Sequence, residues 1–344
     1  MNYFTKYCTF FSTFLPIHHH YSHSPNTSAH SLSPSSMAGA LPYIPGNPVG
    51  RGVFRRSFGY GRGGALFSRR PVACVMSNSS KIDYWTCINA DIETHLKEAI
   101  PVRPPVVVFE PMHHLTFAAP RSFAPALCIA ACELVGGSRD QALAAASALR
   151  LMIAAAFTHE NIPLTDRPRP SARPMFHHTF GPNIELLTGD GMIPFAFELL
   201  AQLNNPAQDN SDRILRVMIE ISRAMGSQGM VEGQYNEFQY DQSVGDELFH
   251  VAWLRDVCKK KEGASHACAG ACGAILGGGN EEEIEKLRRY GLYVGTIQGI
   301  YNKVEGNEEW SLKEVNKLRD LALKELKDFN EEEKVRAICS LVEN

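Results

Sequence analysis

Not one aspartate or glutamate occurs between Met1 and Ile82, although the chain of 344 residues holds 37 acidic residues in all. The same stretch carries Lys6, Arg51, Arg55, Arg56, Arg62, Arg69 and Arg70 and is rich in serine, proline, glycine, phenylalanine and histidine. A long, basic, serine-rich opening without acids has the composition of an organelle import leader. A secretory signal competes only through the apolar Phe10–Ile17 run, which Ser12, Thr13 and Pro16 interrupt. The expectation is a plastid transit peptide over residues 1–80, cleaved near Val72–Ser77, and a location in the chloroplast stroma. The remainder, residues 81–344, keeps 27 of 34 basic residues against 37 acidic ones, a net charge of −10. A domain so acidic presents no positive field to nucleic acid.

Other features are scarce as well. No run of about 18 uncharged apolar residues occurs, so no membrane span is expected. The nine cysteines are odd in number and spread from Cys8 to Cys339, which does not describe a secreted disulfide framework. Alternating β-branched runs are almost missing, and Val106–Phe109 is the single strand candidate.

Helical periodicity fills the space instead. Amphipathic or apolar helices are expected over residues 81–99, 122–135, 140–159, 184–203, 211–226, 245–258, 264–276, 281–304, 311–329 and 331–342. Pro101–Pro105 and Gly136–Gly137 supply stops. The Ala-rich 140–159 segment is apolar on nearly every face and is expected at the centre of the molecule. Pro163, Pro168, Pro170 and Pro174 break the pattern into a long loop. The class is all-α, one helical domain of about ten helices and no internal repeat.

Several residues stand out chemically. Cys128/Cys132 and Cys268/Cys272 are two CxxxC pairs, each placing its thiols one helical turn apart. They lack the further ligands of a tetrahedral metal site and the backbone geometry of a regular bridge. Small packing residues at a helix contact or redox-sensitive thiols remain, and the Cys-Ala-Gly-Ala-Cys-Gly-Ala stripe favours packing, inside the core or against a partner. Glu160, Asn161 and Asp166 sit where the central helix meets the proline loop, a thin set for a divalent cation. His113–His114 and His177–His178 are taken as structural, and Glu281–Glu283 as helix N-terminal charge. The Lys259–Lys261 run, at an expected helix end, serves either the helix dipole or an anion such as diphosphate.

Three segments then make the chain recognisable: Leu127-Cys-Ile-Ala-Ala-Cys-Glu-Leu-Val-Gly-Gly137, Leu187-Thr-Gly-Asp-Gly191 with Phe195-Ala-Phe-Glu198, and Gly273-Ala-Ile-Leu-Gly-Gly-Gly279. They resemble the trans-prenyltransferases, above all the plant plastid geranylgeranyl diphosphate synthases, in consistent order from about residue 83 to 343. The resemblance implies an isoprenoid-synthase bundle around a central cavity, in which two aspartate-rich motifs hold Mg²⁺ and draw off an allylic diphosphate.

The residues that chemistry needs are depleted. The family's D-D-x4-D stands here as Glu160-Asn161-x4-Asp166, and its F-Q-x-x-D-D-x-x-D as Ile297-Gln298-x-x-Tyr301-Asn302-Lys303-x-Glu305. Its G-G-K-R-x-R-P stands as Ala119-Pro120-Arg121-Ser122-Phe123-Ala124-Pro125, and its Lys-Thr pair as Lys261-Glu262. Arg121 and Lys261 are thus the residual basic groups of the diphosphate sites. Each 1.4 kcal/mol of transition-state stabilisation lost is about tenfold in rate, so the expected consequence is a chain inactive by itself.

Two CxxxC motifs without aspartate-rich motifs are similar to the small subunits of heterodimeric geranyl diphosphate synthase. That resemblance implies a regulatory subunit with no cofactor of its own, paired as heterodimer or heterotetramer with a Mg²⁺-using geranylgeranyl diphosphate synthase large subunit. It assigns Cys128, Cys132, Cys268 and Cys272 to subunit association, and it implies a product shifted toward geranyl diphosphate for monoterpenes. The alternatives are a type II small subunit recruiting the synthase for chlorophyll and carotenoid production, and a weakly active prenyltransferase using Glu160, Asp166 and Glu305.

Overall fold

The computed structural model describes residues 80–162, 179–203, 210–239, 247–304 and 309–343. The expected leader, Ser80 apart, and most of the proline loop lie outside the described residues, as do Asp166 and Glu305. Among the described residues there are twelve α-helices and no strand.

The first helix, α1 (Ser80–Ala99), buries Tyr84, Ile88, Ile92 and Leu96. Four-residue steps lay these side chains along one stripe, the requirement for docking on a core. Burying each large aliphatic side chain contributes about 1.5–3 kcal/mol. α1 stops before Pro101, and α2 (Val106–Ala118) starts directly after Pro105. Val106–Phe109 therefore opens a helix and is not a strand. The valines Val106, Val107 and Val108 are exposed and have no sheet to join, whereas Met112 and Leu115 supply a buried helical stripe.

α3 (Ala124–Leu134) and α4 (Arg139–Asn161) follow, joined by a turn in which Gly136 adopts φ +93°. Gln141 accepts a hydrogen bond from the Ser138 amide at 2.7 Å and helps start α4. α4 lies at the centre, in contact with α1, α2, α3 and α5 (Pro182–Ala201). By length and composition it could cross a membrane, but 72% of its most apolar window is buried within the bundle, which identifies a core helix.

The second half comprises α6 (Ser211–Met225), α7 (Met230–Phe238), α8 (Glu247–Cys258), α9 (Ala264–Gly277), α10 (Glu281–Lys303), α11 (Glu309–Glu325) and α12 (Glu332–Glu343). α7 was not foreseen. It buries only Met230 and Gly233, so it has too little apolar periodicity to announce itself. The lysine run was expected at a helix end. In fact Lys259–Gly263 is one π-helical turn that carries α8 into α9 without a break. α10 begins with Asn280 and Glu283 capping each other, at 3.0 and 2.8 Å.

The core is tightest where α9 meets α3. A Cβ on Gly273 would stand 2.0 Å from the Cys128 carbonyl oxygen, and one on Gly277 2.7 Å from that of Cys132. Two glycines one turn apart thus receive the backbone of the two cysteines one turn apart. This close approach is what the small-residue stripe of α9 makes possible.

Candidate functional site

Glu160, near the C-terminal end of α4, lies at a buried cluster of charges. Lys261 donates to Glu160 Oε1 at 2.9 Å and to Glu237 Oε2 at 2.7 Å, and Lys303 donates to Glu237 Oε1 at 2.8 Å. Gln234 approaches Glu160 Oε2 at 3.4 Å. The cluster joins α4, α7, the π turn and α10. Lys261 is the most deeply placed, with 4% of its side chain exposed.

Local backbone geometry directs these groups. The π turn holds one residue more than an α turn and splits its lysines. Lys261 turns inward, while Lys260 reaches Glu232 and Asp256 at 2.7 and 3.2 Å. Burial alone would lower the Lys261 pKa, but Glu160 and Glu237 outweigh it and hold it above the usual lysine value. Burial would likewise raise the Glu237 carboxyl, yet Lys261 and Lys303 bring it down to about 2. Glu262 is pushed up by its own burial.

Among the described residues, this donor set does not fit Mg²⁺. The ion wants near-octahedral oxygen ligands and keeps several waters. Here Glu160 accepts from an ammonium, Tyr301 and Asn302 carry no carboxylate, and no group of three His, Cys, Asp or Glu side chains suited to a metal occurs among the described residues. Asn161 is inward too, donating to the Phe157 carbonyl at 2.8 Å.

Arg121, Gln298 and Tyr301 meet elsewhere, around a cavity of about 580 Å³ also lined by Trp85, Asn89 and Glu93. The Arg121 side chain is 82% exposed and its guanidinium lies 3.6 Å from Glu93. Asn302 is exposed. Lys261 is not part of this cavity, so the two residual basic groups occupy separate places. Sequence reasoning passed over Glu237, which lies 66 positions from Lys303 and belongs to no motif, and Arg150, which donates to the carbonyls of Thr116, Ala119 and Pro120.

The CxxxC thiols all lie inside the chain: Cys128, Cys132 and Cys272 are fully buried and Cys268 almost so. They are unbridged, with Cys268 Sγ 3.6 Å from Cys272 Sγ. Burial raises the Cys128 thiol far above its ordinary pKa and Cys132 to about 12; in Cys272 the hydrogen bond with Cys268 is the main cause of a similar rise. Such thiols are poor nucleophiles, and their geometry is that of core packing. Cys272 Sγ approaches the Val217 carbonyl of α6 at 4.0 Å.

The outer surface of α6 is a different matter. While Ile214, Val217 and Ile221 are buried, Leu215 (58%) and Ile219 are exposed, and neighbouring α5 exposes Ile184, Leu187 (65%) and Ile193. Large exposed apolar residues on adjoining helices make this face a candidate interaction surface.

Comparison with known proteins matches this architecture. Residues 105–301 match the Polyprenyl synthetase family. A relative named heterodimeric geranylgeranyl pyrophosphate synthase small subunit 2, chloroplastic, from Cannabis sativa is 51% identical over 284 residues, 80% of this chain and 98% of that protein. The crystal structure of the geranyl diphosphate synthase small subunit from Antirrhinum majus is 54% identical, with TM-score 0.70, covering 78% of this chain and all of the other. A chain of the mint heterotetrameric geranyl pyrophosphate synthase is 48% identical, with TM-score 0.65, covering 76% and 99%.

Proposed function

Since the chain belongs to the polyprenyl synthetase family, we propose that it is a non-catalytic regulatory subunit, which binds a geranylgeranyl diphosphate synthase large subunit in the plastid. The carrying observation is a mismatch: the likeness to proteins named small subunits runs over nearly their whole length, while positions that should hold metal carry asparagine and tyrosine, with Lys303 beside them. A duplicate drifting without function would scatter its substitutions. Here the segments Leu127–Gly137 and Gly273–Gly279 keep the family's pattern, while both aspartate-rich motifs are altered.

The exposed face of α5 and α6 is the docking surface in this reading, and the large subunit is its occupant. The buried cysteines contribute to association from behind, by holding α3 and α9 together and supporting α6 through Val217. Docking displaces a helix of the active partner and shortens its hydrocarbon tunnel, so that geranyl diphosphate leaves before further elongation. Residues 1–80 act as the import leader.

A second reading keeps the partner and changes the output. The Cannabis sativa relative is named for geranylgeranyl pyrophosphate synthase, which favours a type II subunit that recruits the synthase without shortening its product. One experiment tests both. The chain is co-purified with a large subunit and the complex is assayed with isopentenyl and dimethylallyl diphosphates. A rise of the ten-carbon product supports the first reading, and an unchanged twenty-carbon product in a confirmed complex supports the second. Leu187→Asp and Leu215→Asp should abolish co-purification. Prenyl transfer at ordinary enzymatic rates by the unpartnered chain would overturn both.

A further inference from the structure

We infer that Lys261 and Lys303 are built-in counter-ions, standing in for bound divalent metal as the charges that hold Glu160 and Glu237 together where α4, α7, the π turn and α10 meet. The four side chains all belong to this chain, and their pairing does not depend on a docked partner.

Three ion pairs that join four segments have to be satisfied at once. Glu160 comes from α4, Glu237 from α7, Lys261 from the π turn and Lys303 from α10, and these segments are remote in sequence. Carboxylates brought together in a protected place repel and lose hydration, so they need positive charge close by. A metal ion supplies it from solution. Here two ammonium groups supply it from the chain, at 2.7–2.9 Å and with side chains at most 17% exposed.

The two lysines face the two glutamates they pair with, while Glu262, buried beside them, has its carboxyl pushed up by burial. Their charges are already compensated, so a divalent ion would meet two tethered cations and would have to displace one. Lys303 occupies a spacer position of the degenerate second motif, and Lys261 is aimed inward by the π turn. The close approach of α7 is also specific: a Cβ on Gly233 would fall 2.7 Å from Lys261 Cγ. The cluster is thus held together by the chain's own charges, where a metal-dependent site would use a bound ion.

The test is thermal unfolding of the full chain with and without millimolar magnesium chloride, and again with magnesium plus inorganic diphosphate. The unsubstituted chain should show the same midpoint in all three. The double variant Lys261→Ala/Lys303→Ala should unfold at lower temperature and regain several degrees on adding magnesium, because ligand binding to the native state raises stability. The quadruple variant that adds Glu160→Gln and Glu237→Gln should lose that magnesium response. If the double variant does not fold, Lys303→Met alone carries the same readout. A magnesium-dependent rise in the unsubstituted chain would overturn the inference, as would a folded lysine variant indifferent to magnesium.

Discussion

The buried charge cluster around Lys261 and the α3–α9 seam come from one chain and obey different rules. At the seam the contact is shape. Gly273 and Gly277 admit the backbone at Cys128 and Cys132, and an added methyl has no space to enter. At the cluster the contact is charge, and Lys261 and Lys303 neutralise carboxylates across four segments. A shape contact cannot be rebuilt by changing one partner. A charge contact tolerates replacement of the cation as long as the balance holds. This explains how a fold can be conserved while its ligand set is rewritten.

The sharpest break of that comparison is Gly273→Val. The new side chain would collide with the Cys128 carbonyl, which is backbone and cannot rotate away. We expect loss of cooperative folding, seen by circular dichroism and urea titration, since overpacking a full core costs about 1–3 kcal/mol and more where backbone must move. Full stability in the variant would show that the seam is looser than described.

Acid separates the two regions next. His266, on α9 and packed against α10 at Gly295, is held neutral by burial with its pKa down to about 4. The unfolded chain protonates this histidine near its ordinary value of about 6.5. Its contribution is therefore complete above that value and declines as pH falls from 6.5 to 4, by about 3 kcal/mol at 1.36 kcal/mol per pH unit. Glu237, lowered to about 2, contributes fully above its unfolded value and is lost only between about 4.5 and 2. Urea midpoints measured from pH 7 downward should fall first through His266 in the α9–α10 contact and later through Glu237 in the charge cluster. His266→Gln should flatten the upper window alone, and a midpoint constant from pH 7 to 4.5 would contradict the buried neutral histidine.

The smallest effect is expected at the residual basic group. Arg121 is largely exposed and its pairing with Glu93 is open to solvent. Arg121→Ala should change unfolding free energy by less than about 0.5 kcal/mol and leave the co-purified partner in place. A loss of several degrees in midpoint would give Arg121 a structural role that its exposure does not suggest.

Ten helices could be read from apolar periodicity, because stripes such as Tyr84, Ile88, Ile92 and Leu96 repeat at the helical period whatever they pack against. The opening of α2 was misread as strand, since β-branched valines carry the same local preference at an exposed helix start. α7 escaped because only Met230 and Gly233 of its nine residues are buried. Motif spacing located Glu160, Tyr301, Asn302 and Lys261 and exposed the missing carboxylates. Glu237 had no such mark, because its meaning lies in partners brought from distant segments.

Residue order thus sufficed for the helical class, the depleted ligand positions and the small-residue seam, all of which depend on neighbours within a turn or on composition. Only three-dimensional packing decided that the cysteines face inward, that a π turn aims Lys261 into the interior, and that Lys303 meets Glu237. The physical reason is range. Helix periodicity is local, whereas charge compensation acts between groups whose proximity exists only after the chain has folded.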